Sequence, residues 1–296
     1  MTIDTIDDLP TLPLGARSLL LTMLGEFVYP AGGSVWTSTI VGGLDTVGIT
    51  ERNARQAVAR LGDQGVVDAE RHGRRTQWHL TDRGTQLLAT GTERIYSFGR
   101  RADDWDGTWL LVICSIPETQ RAVRHQFRTR LTFEGFGFLS PTIAVSPHPE
   151  REKAANDLIS DLGLDDTAVT FLSTSGSMTS DGDVLAAAWD LDALERSYET
   201  FVAEFDTGID TELDAELDAD GRDGVGEPTP AEAFGDMLRL VDTWRRFPFL
   251  DPELPSALLP TTWVGARAHE VFEQRRAAER PAALGWFEEM EAAAGG

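Results

Sequence analysis

Cysteine is almost missing from this 296-residue chain: Cys114 stands alone, which excludes an intramolecular disulfide. Its apolar neighbours in LLVIC mark it as a small buried hydrophobe rather than a nucleophile. Lysine is as scarce, with Lys153 set against twenty-five arginines. No apolar run approaches the roughly 18 residues of a membrane-spanning helix. The start MTIDTIDDLPTLP lacks the basic opening and apolar core of a secretory signal, so a cytoplasmic protein with no membrane partner is expected. Signatures of common catalytic and cofactor sites are missing too: there is no HExxH, no GxSxG elbow, no Walker loop and no GxGxxG. The five histidines, His72, His79, His125, His148 and His269, show no metal-ligand spacing. No catalytic residue, metal or cofactor is therefore expected.

Negative charge is what the chain has in excess. Acids number 49 against 26 basic residues, a formal net charge of −23. Spread evenly, that charge would repel nucleic acid and anionic membranes. Its distribution is uneven: residues 1–100 hold ten Arg, no Lys and eleven acids, and residues 47–84 hold seven Arg against five acids. The surplus of acids lies beyond residue 100. So acidic and arginine-biased a composition suits a GC-rich genome and a high-salt cytoplasm, where acidic surfaces stay hydrated.

At roughly 100–200 residues per domain, two or three domains are expected. Residues 1–13, with three Asp and two Pro, read as a disordered arm. In the first domain, 14–100, Leu14–Phe27 and Val35–Leu44 read as amphipathic helices. Thr50 is the candidate N-cap of a third, ERNARQAVARLGDQG, which should end at Gly62 or Gly65. At about 100° per residue, Ala54, Ala57, Val58 and Leu61 share one arc and Arg52, Arg55, Gln56, Ala59 and Arg60 lie opposite. Val66–Glu70 and Thr76–Thr81 are strands joined by the basic turn RHGRR, a β-hairpin, and Asp82–Leu88 is a closing helical turn. Three helices followed by a basic hairpin give a winged helix-turn-helix.

From 101 to 180 the order is strand, helix, two strands, helix, strand, as in a ferredoxin-like unit. The last strand is Ala168–Ser173. Residues 181–296 read as a helical C-terminal domain, with helices at Leu191–Phe205, Pro230–Phe247, Thr262–Ala278 and Ala282–Ala294. An acidic insertion at 206–228 lacks the spacing of a calcium loop and reads as solvated chain. The fold class expected is α+β.

The basic face points to double-stranded DNA. Thr50, Arg52, Asn53, Arg55 and Gln56 are candidate contacts of a recognition helix with bases or groove phosphates. Arg71, Arg74 and Arg75 are candidate phosphate contacts of the wing. A protein-interaction module with a solvated Arg face is the competing reading, and the segregation of basic residues onto one element weighs against it. Trp105 and Trp109 in WDGTW suit packing at a domain junction or the wall of a pocket. Arg121, Arg124 and Arg128 recur on one helical face, able to hold phosphates or to pair with acids. Arg245 and Arg246 precede a stretch punctuated by Pro248, Pro252, Pro255 and Pro260, suited to a packed connector or a pocket wall.

Several blocks carry a family resemblance: NARQAVARLGDQGVV with GRRTQWHLTDRG, then WDGTWLLVICSIPETQRAVRHQFRTRL and EGFGFLSPTIAVSP, then AWDLDALERSYETFV and WRRFPFLDPELPSALLPTTWVGARAHEVF. In this order they resemble the PaaX family of repressors of phenylacetic acid degradation along nearly the whole chain. The resemblance implies a GntR-like winged helix, a ferredoxin-like centre, a homodimer on inverted half-sites, and release from DNA by phenylacetyl-CoA. Trp105, Trp109, Arg121, Arg124, Arg128, Arg245 and Arg246 are the candidate residues for that acyl-CoA. Trp78 stands where the family usually has Tyr, Trp263–Gly265 departs from a usual WPG, and the acidic insertion is unusual. The centre also resembles small CRISPR-associated nucleases, which use an Asp after the first strand to bind metal; Ser115 stands at that place. An acyl-CoA hydrolase or nuclease with an accessory winged helix is the rival reading.

Overall fold

The structure, a computed structural model, describes residues 15–99, 105–206 and 228–296. The arm expected at 1–13 and the acidic insertion, apart from its end residues Asp206 and Pro228, lie outside the described residues. Helices and two antiparallel sheets make an α+β architecture. The described residues divide into two compact units: 15–97 with 200–206, 228–245 and 266–296, and 98–99 with 105–199 and 246–265. Residues 181–296 thus contribute to both. Among the described residues no helix is long and apolar enough to cross a membrane.

The first unit opens with α1 (Ala16–Met23), which runs on as a wide π turn over Leu24–Val28. Leu19, Leu20, Met23, Leu24, Phe27 and Val28 recur at helical spacing and are all buried. Next come β1 (Ser34–Trp36) and α2 (Thr37–Asp45). The helix expected from Val35 therefore starts later: a β-branched residue and an aromatic at 35 and 36 favour a strand, and β1 pairs antiparallel with β3 (Arg75–Leu80). With β2 (Val67–His72) this gives a sheet of order β1-β3-β2. The β2–β3 register runs from Val67↔Leu80 to His72↔Arg75, leaving Gly73 and Arg74 as a two-residue turn. Gly73 has φ +64°, the left-handed first position of a type II′ hairpin turn.

Between β1 and β2, α3 (Glu51–Asp63) follows α2, and α4 (Asp82–Ser97) follows β3 as a helix of 16 residues rather than one closing turn. Gly84 in its first turn lies against the Val66 carbonyl oxygen, where a Cβ would overlap it. Two more helices complete this unit's core: α9 (Pro230–Trp244) and most of α10 (Gly265–Gly295). Phe27 packs 4.6 Å from Phe234 of α9 and 5.5 Å from Phe287 of α10, and Trp244 stacks on Phe272 at 4.5 Å. Two helices were expected where α10 runs unbroken through Pro281. Burial on both sides of the proline, at Val271 and Phe272 before it and Ala283 and Phe287 after, outweighs the roughly 3 kcal/mol that an interior proline costs.

Buried charge ties these helices together. Asp242 of α9 is fully buried and accepts from Ser18 Oγ at 2.8 Å, Thr22 Oγ1 at 2.9 Å and Arg245 Nε at 2.9 Å. Tyr96 of α4 donates to Glu26, which also pairs with Arg276, and the Arg276 guanidinium lies 4.2 Å from the Tyr96 ring centroid. Burial and the Glu26 charge hold the Tyr96 hydroxyl well above its ordinary range.

The second unit is built on β4 (Trp109–Cys114), β5 (Gly137–Ser140), β6 (Ile143–Ser146) and β7 (Ala168–Ser173), in the order β5-β6-β4-β7. The crossovers carry α5 (Arg121–Phe133) and α6 (Glu152–Asp161). Their Phe127, Leu131, Ala155, Leu158 and Ile159 join Leu110, Val112 and Cys114 in one core. Burial raises the Cys114 thiol pKa, in keeping with a packed, inert side chain. The other face of the sheet takes α7 (Asp181–Ala188), a helix not anticipated, which begins at a reciprocal Ser180–Asp183 capping box. α8 (Leu191–Phe205) follows, at the bounds expected.

The Pro-punctuated stretch is a packed connector in this unit. Tyr198 donates to Asp251 at 2.6 Å and stacks on Phe247 at 4.2 Å. The buried Arg151 donates to the carbonyls of Glu134 at 2.7 Å and Pro252 at 3.1 Å.

Candidate nucleic-acid interface

α3 carries the strongest candidate face. Thr50 Oγ1 accepts from the Asn53 amide at 3.4 Å, so Thr50 caps the helix and Asn53 supplies the capped amide. Ala54, Ala57, Val58 and Leu61 are buried, fixing the rotation of the helix, and Arg52, Asn53, Arg55, Gln56, Ala59 and Arg60 are exposed. Arg55 Nε pairs with Glu51 at 2.7 Å, both side chains being more than half exposed. Such a pair is worth under about 1 kcal/mol and exchanges readily for a phosphate.

The hairpin belongs to the same unit. Arg71 lies in β2's exposed run and Arg74 sits at the tip, both open to solvent. Arg75 is engaged. Its guanidinium donates to the Ala294 carbonyl of α10 at 2.7 Å and lies 5.3 Å from the Trp36 ring centroid. The Trp36 amide in turn donates to Glu291 at 3.0 Å, and His72 meets the Trp36 ring edge-on at 5.2 Å. The end of α10 therefore braces the base of the hairpin. Sequence reasoning missed Trp36, Glu291 and Ala294 because no local pattern links positions more than 200 residues apart.

Of the candidate acyl-CoA residues, Arg245 lies in the first unit and the other six in the second. In the second unit, Trp109 is buried, donates to Asp181 at 2.8 Å and stacks on Trp189 at 6.3 Å, and Trp105 meets Trp109 edge-on at 5.2 Å. Arg124 donates to the Ile116 carbonyl at 2.7 Å and Arg128 covers the Phe138 ring at 4.5 Å. Arg121 is exposed and Arg246 half-buried. Arg245, in the first unit, holds Asp242 and donates to Ser18 Oγ at 2.6 Å. An open cavity of about 640 Å³ in the second unit is lined by Leu185, Trp189, Leu258 and Trp263 with Asp190, Asp192 and Glu195, and by none of the seven candidates. Among the described residues, no group of three or more His, Cys, Asp or Glu is placed to hold a metal ion.

Comparison with known proteins covers nearly all of the chain. The family model for PaaX-like protein matches residues 15–84, that for the PaaX protein central Cas2-like domain matches 102–185, and that for the PaaX-like protein C-terminal domain matches 189–289. Among curated relatives, transcriptional repressor PaaX of Escherichia coli (strain K12) is 29% identical over 280 residues, spanning 94% of this chain and 84% of the relative. Among solved structures, the uncharacterized protein Rv0674 from Mycobacterium tuberculosis shares the fold, with a TM-score of 0.62 at 19% identity over 94% of this chain and 99% of that one. Three models of one family thus follow one another from residue 15 to residue 289, and the chain belongs to the PaaX family.

Proposed function

We propose that this protein is a dimeric transcriptional repressor of phenylacetate catabolism genes that binds operator DNA and is released by an aryl-CoA thioester such as phenylacetyl-CoA, without catalysing a reaction. The observation that carries the reading is α3: one side is locked into the core and the other presents Arg52, Asn53, Arg55 and Gln56 to solvent. That is how a recognition helix meets base edges in a major groove. Helices α1–α3 followed by the β2–β3 hairpin support a winged helix-turn-helix, with Arg71 and Arg74 as its phosphate contacts and Arg75 held by the Ala294 carbonyl. The sheet order β5-β6-β4-β7 with two crossover helices supports a ferredoxin-like centre. The ranges of the three family matches support sequence modules near 14–100, 101–180 and 181–296. The curated relative's name supports the role of repressor.

The effector acts by linkage. To weaken operator binding tenfold, the thioester must prefer the released state by about 1.4 kcal/mol. Arg121 and Arg128 on α5 are the candidates still accessible to its phosphates. A mobility shift on DNA upstream of the protein's own gene tests the reading. A specific complex that phenylacetyl-CoA dissolves and free phenylacetate leaves intact is expected. Absence of a specific complex overturns DNA binding, and turnover of the thioester overturns the non-catalytic role.

A further inference from the structure

In a chain where a quarter of the residues are charged, residues 167–180, TAVTFLSTSGSMTS, carry no charge at all. This stretch begins with β7, the end strand of the second unit's sheet. β7 pairs with β4 over six consecutive positions, from Trp109↔Ser173 to Cys114↔Ala168, without a bulge. Among the described residues no strand pairs with its outer edge. Val169 and Phe171 point to the sheet face away from α5 and α6, beside Ile113 and Leu111, and remain 51% and 53% exposed. Leu172, on the other face, is 56% exposed. Sheet edges are normally guarded by a lysine, a proline or a bulge, because unpaired backbone groups flanked by apolar side chains recruit another strand. β7 has none of these guards.

We propose that β7 is where a second copy of this chain docks, the two β7 strands pairing antiparallel about a two-fold axis so that the sheet continues from one copy into the other. A strand that pairs with its own copy is self-complementary under two-fold symmetry. Charge selects this partner. Copies bearing −23 each repel wherever their acidic surfaces come within a Debye length of about 8 Å, and the uncharged edge minimises that repulsion. Pairing about Thr170 sets Ala168 against Leu172 and Asp166 against Thr174, so no acid faces an acid. The inference rests on the dimer of the proposed function and gives it an interface; its test uses no DNA, so variants that stay dimeric overturn the β7 interface alone, while loss of DNA binding overturns the repressor reading alone.

The test is sedimentation velocity on the full chain, comparing wild type with Phe171→Lys and Val169→Lys, each checked for unchanged secondary structure by circular dichroism. The wild type is expected at twice the chain mass of 32.4 kDa and both variants at that mass under the same conditions. Amide exchange in wild-type β7, slower at dimeric than at monomeric concentration, is the second readout and needs no variant to fold. A monomeric wild type, variants that remain dimeric, or β7 exchange independent of concentration overturns the proposal.

Discussion

Arg52 and Arg74 are both exposed, but they sit on different elements and their removal should differ in kind. Arg52 stands in the first turn of α3 and Arg74 at the hairpin tip. Replacing Arg52 with Ala should relax discrimination at one base-pair position. Replacing Arg74 should weaken all sequences alike and lower the salt slope by about one. Binding to a panel of single-base variants, at several salt concentrations, separates the two. Glu279 of α10 offers a residue-scale test of the fold: burial pushes its carboxyl up to about 7, opposed by Arg275 at 2.7 Å and reinforced by Asp236. An unfolded chain ionises this group near its ordinary 4.5, so between pH 4.5 and 7 the unfolded state sheds a proton that the folded state keeps. The contribution of Glu279 is therefore most favourable below pH 4.5, falls as pH rises to about 7, and is flat above. Glu279→Gln should flatten this part of the pH profile of the melting temperature. None of this was legible in the sequence, since Glu279 sits in an ordinary charged run and only the packing of α10 buries it.

Among the elements, α3 was readable almost to the residue, because its cap, its apolar arc and its closing glycines all agree. β1 and α10 were not. Val35 and Trp36 have strand preferences but sit beside a helical pattern, and only the distant β3 decides between them. Pro281 signals a break, yet burial on both sides carries the helix through. Long-range contacts of this kind also give α10 its bracing role at the hairpin. Cutting the chain before Glu291 removes the carboxylate on the Trp36 amide and the carbonyl that holds Arg75. The truncated protein should keep its core while the hairpin loosens, seen as faster amide exchange confined to β1 and β3, with weaker DNA binding. The α1–α9 contact has a sharper dependence. Asp242→Ala leaves Arg245 without its buried partner and two hydroxyls without their acceptor, and should cost about 3–5 kcal/mol by denaturant unfolding.

For the whole molecule, a charge of −23 is compatible with DNA binding because the surplus of acids lies beyond residue 100, while residues 47–84 hold seven Arg against five acids. An acidic body disfavours non-specific contact and leaves α3 and the hairpin as the surfaces able to approach phosphates. The partition was visible from sequence, as was the β-α-β-β-α-β order of the second unit. The sharing of the C-terminal segment between two units was not, since the cuts at 199/200, 245/246 and 265/266 have no compositional signal. The proposal that α3 carries the DNA-binding face is tested most directly by equilibrium titration of upstream DNA across a salt series, with wild type and a combined Arg52→Ala, Arg55→Ala, Gln56→Ala variant. The wild type should show tight binding whose logarithm falls linearly with log salt, by about 0.9 per phosphate contacted. The variant, melting as wild type does, should lose its preference for that DNA over random sequence. A variant that binds with the same affinity and preference, or a wild type whose binding ignores salt, would contradict the account.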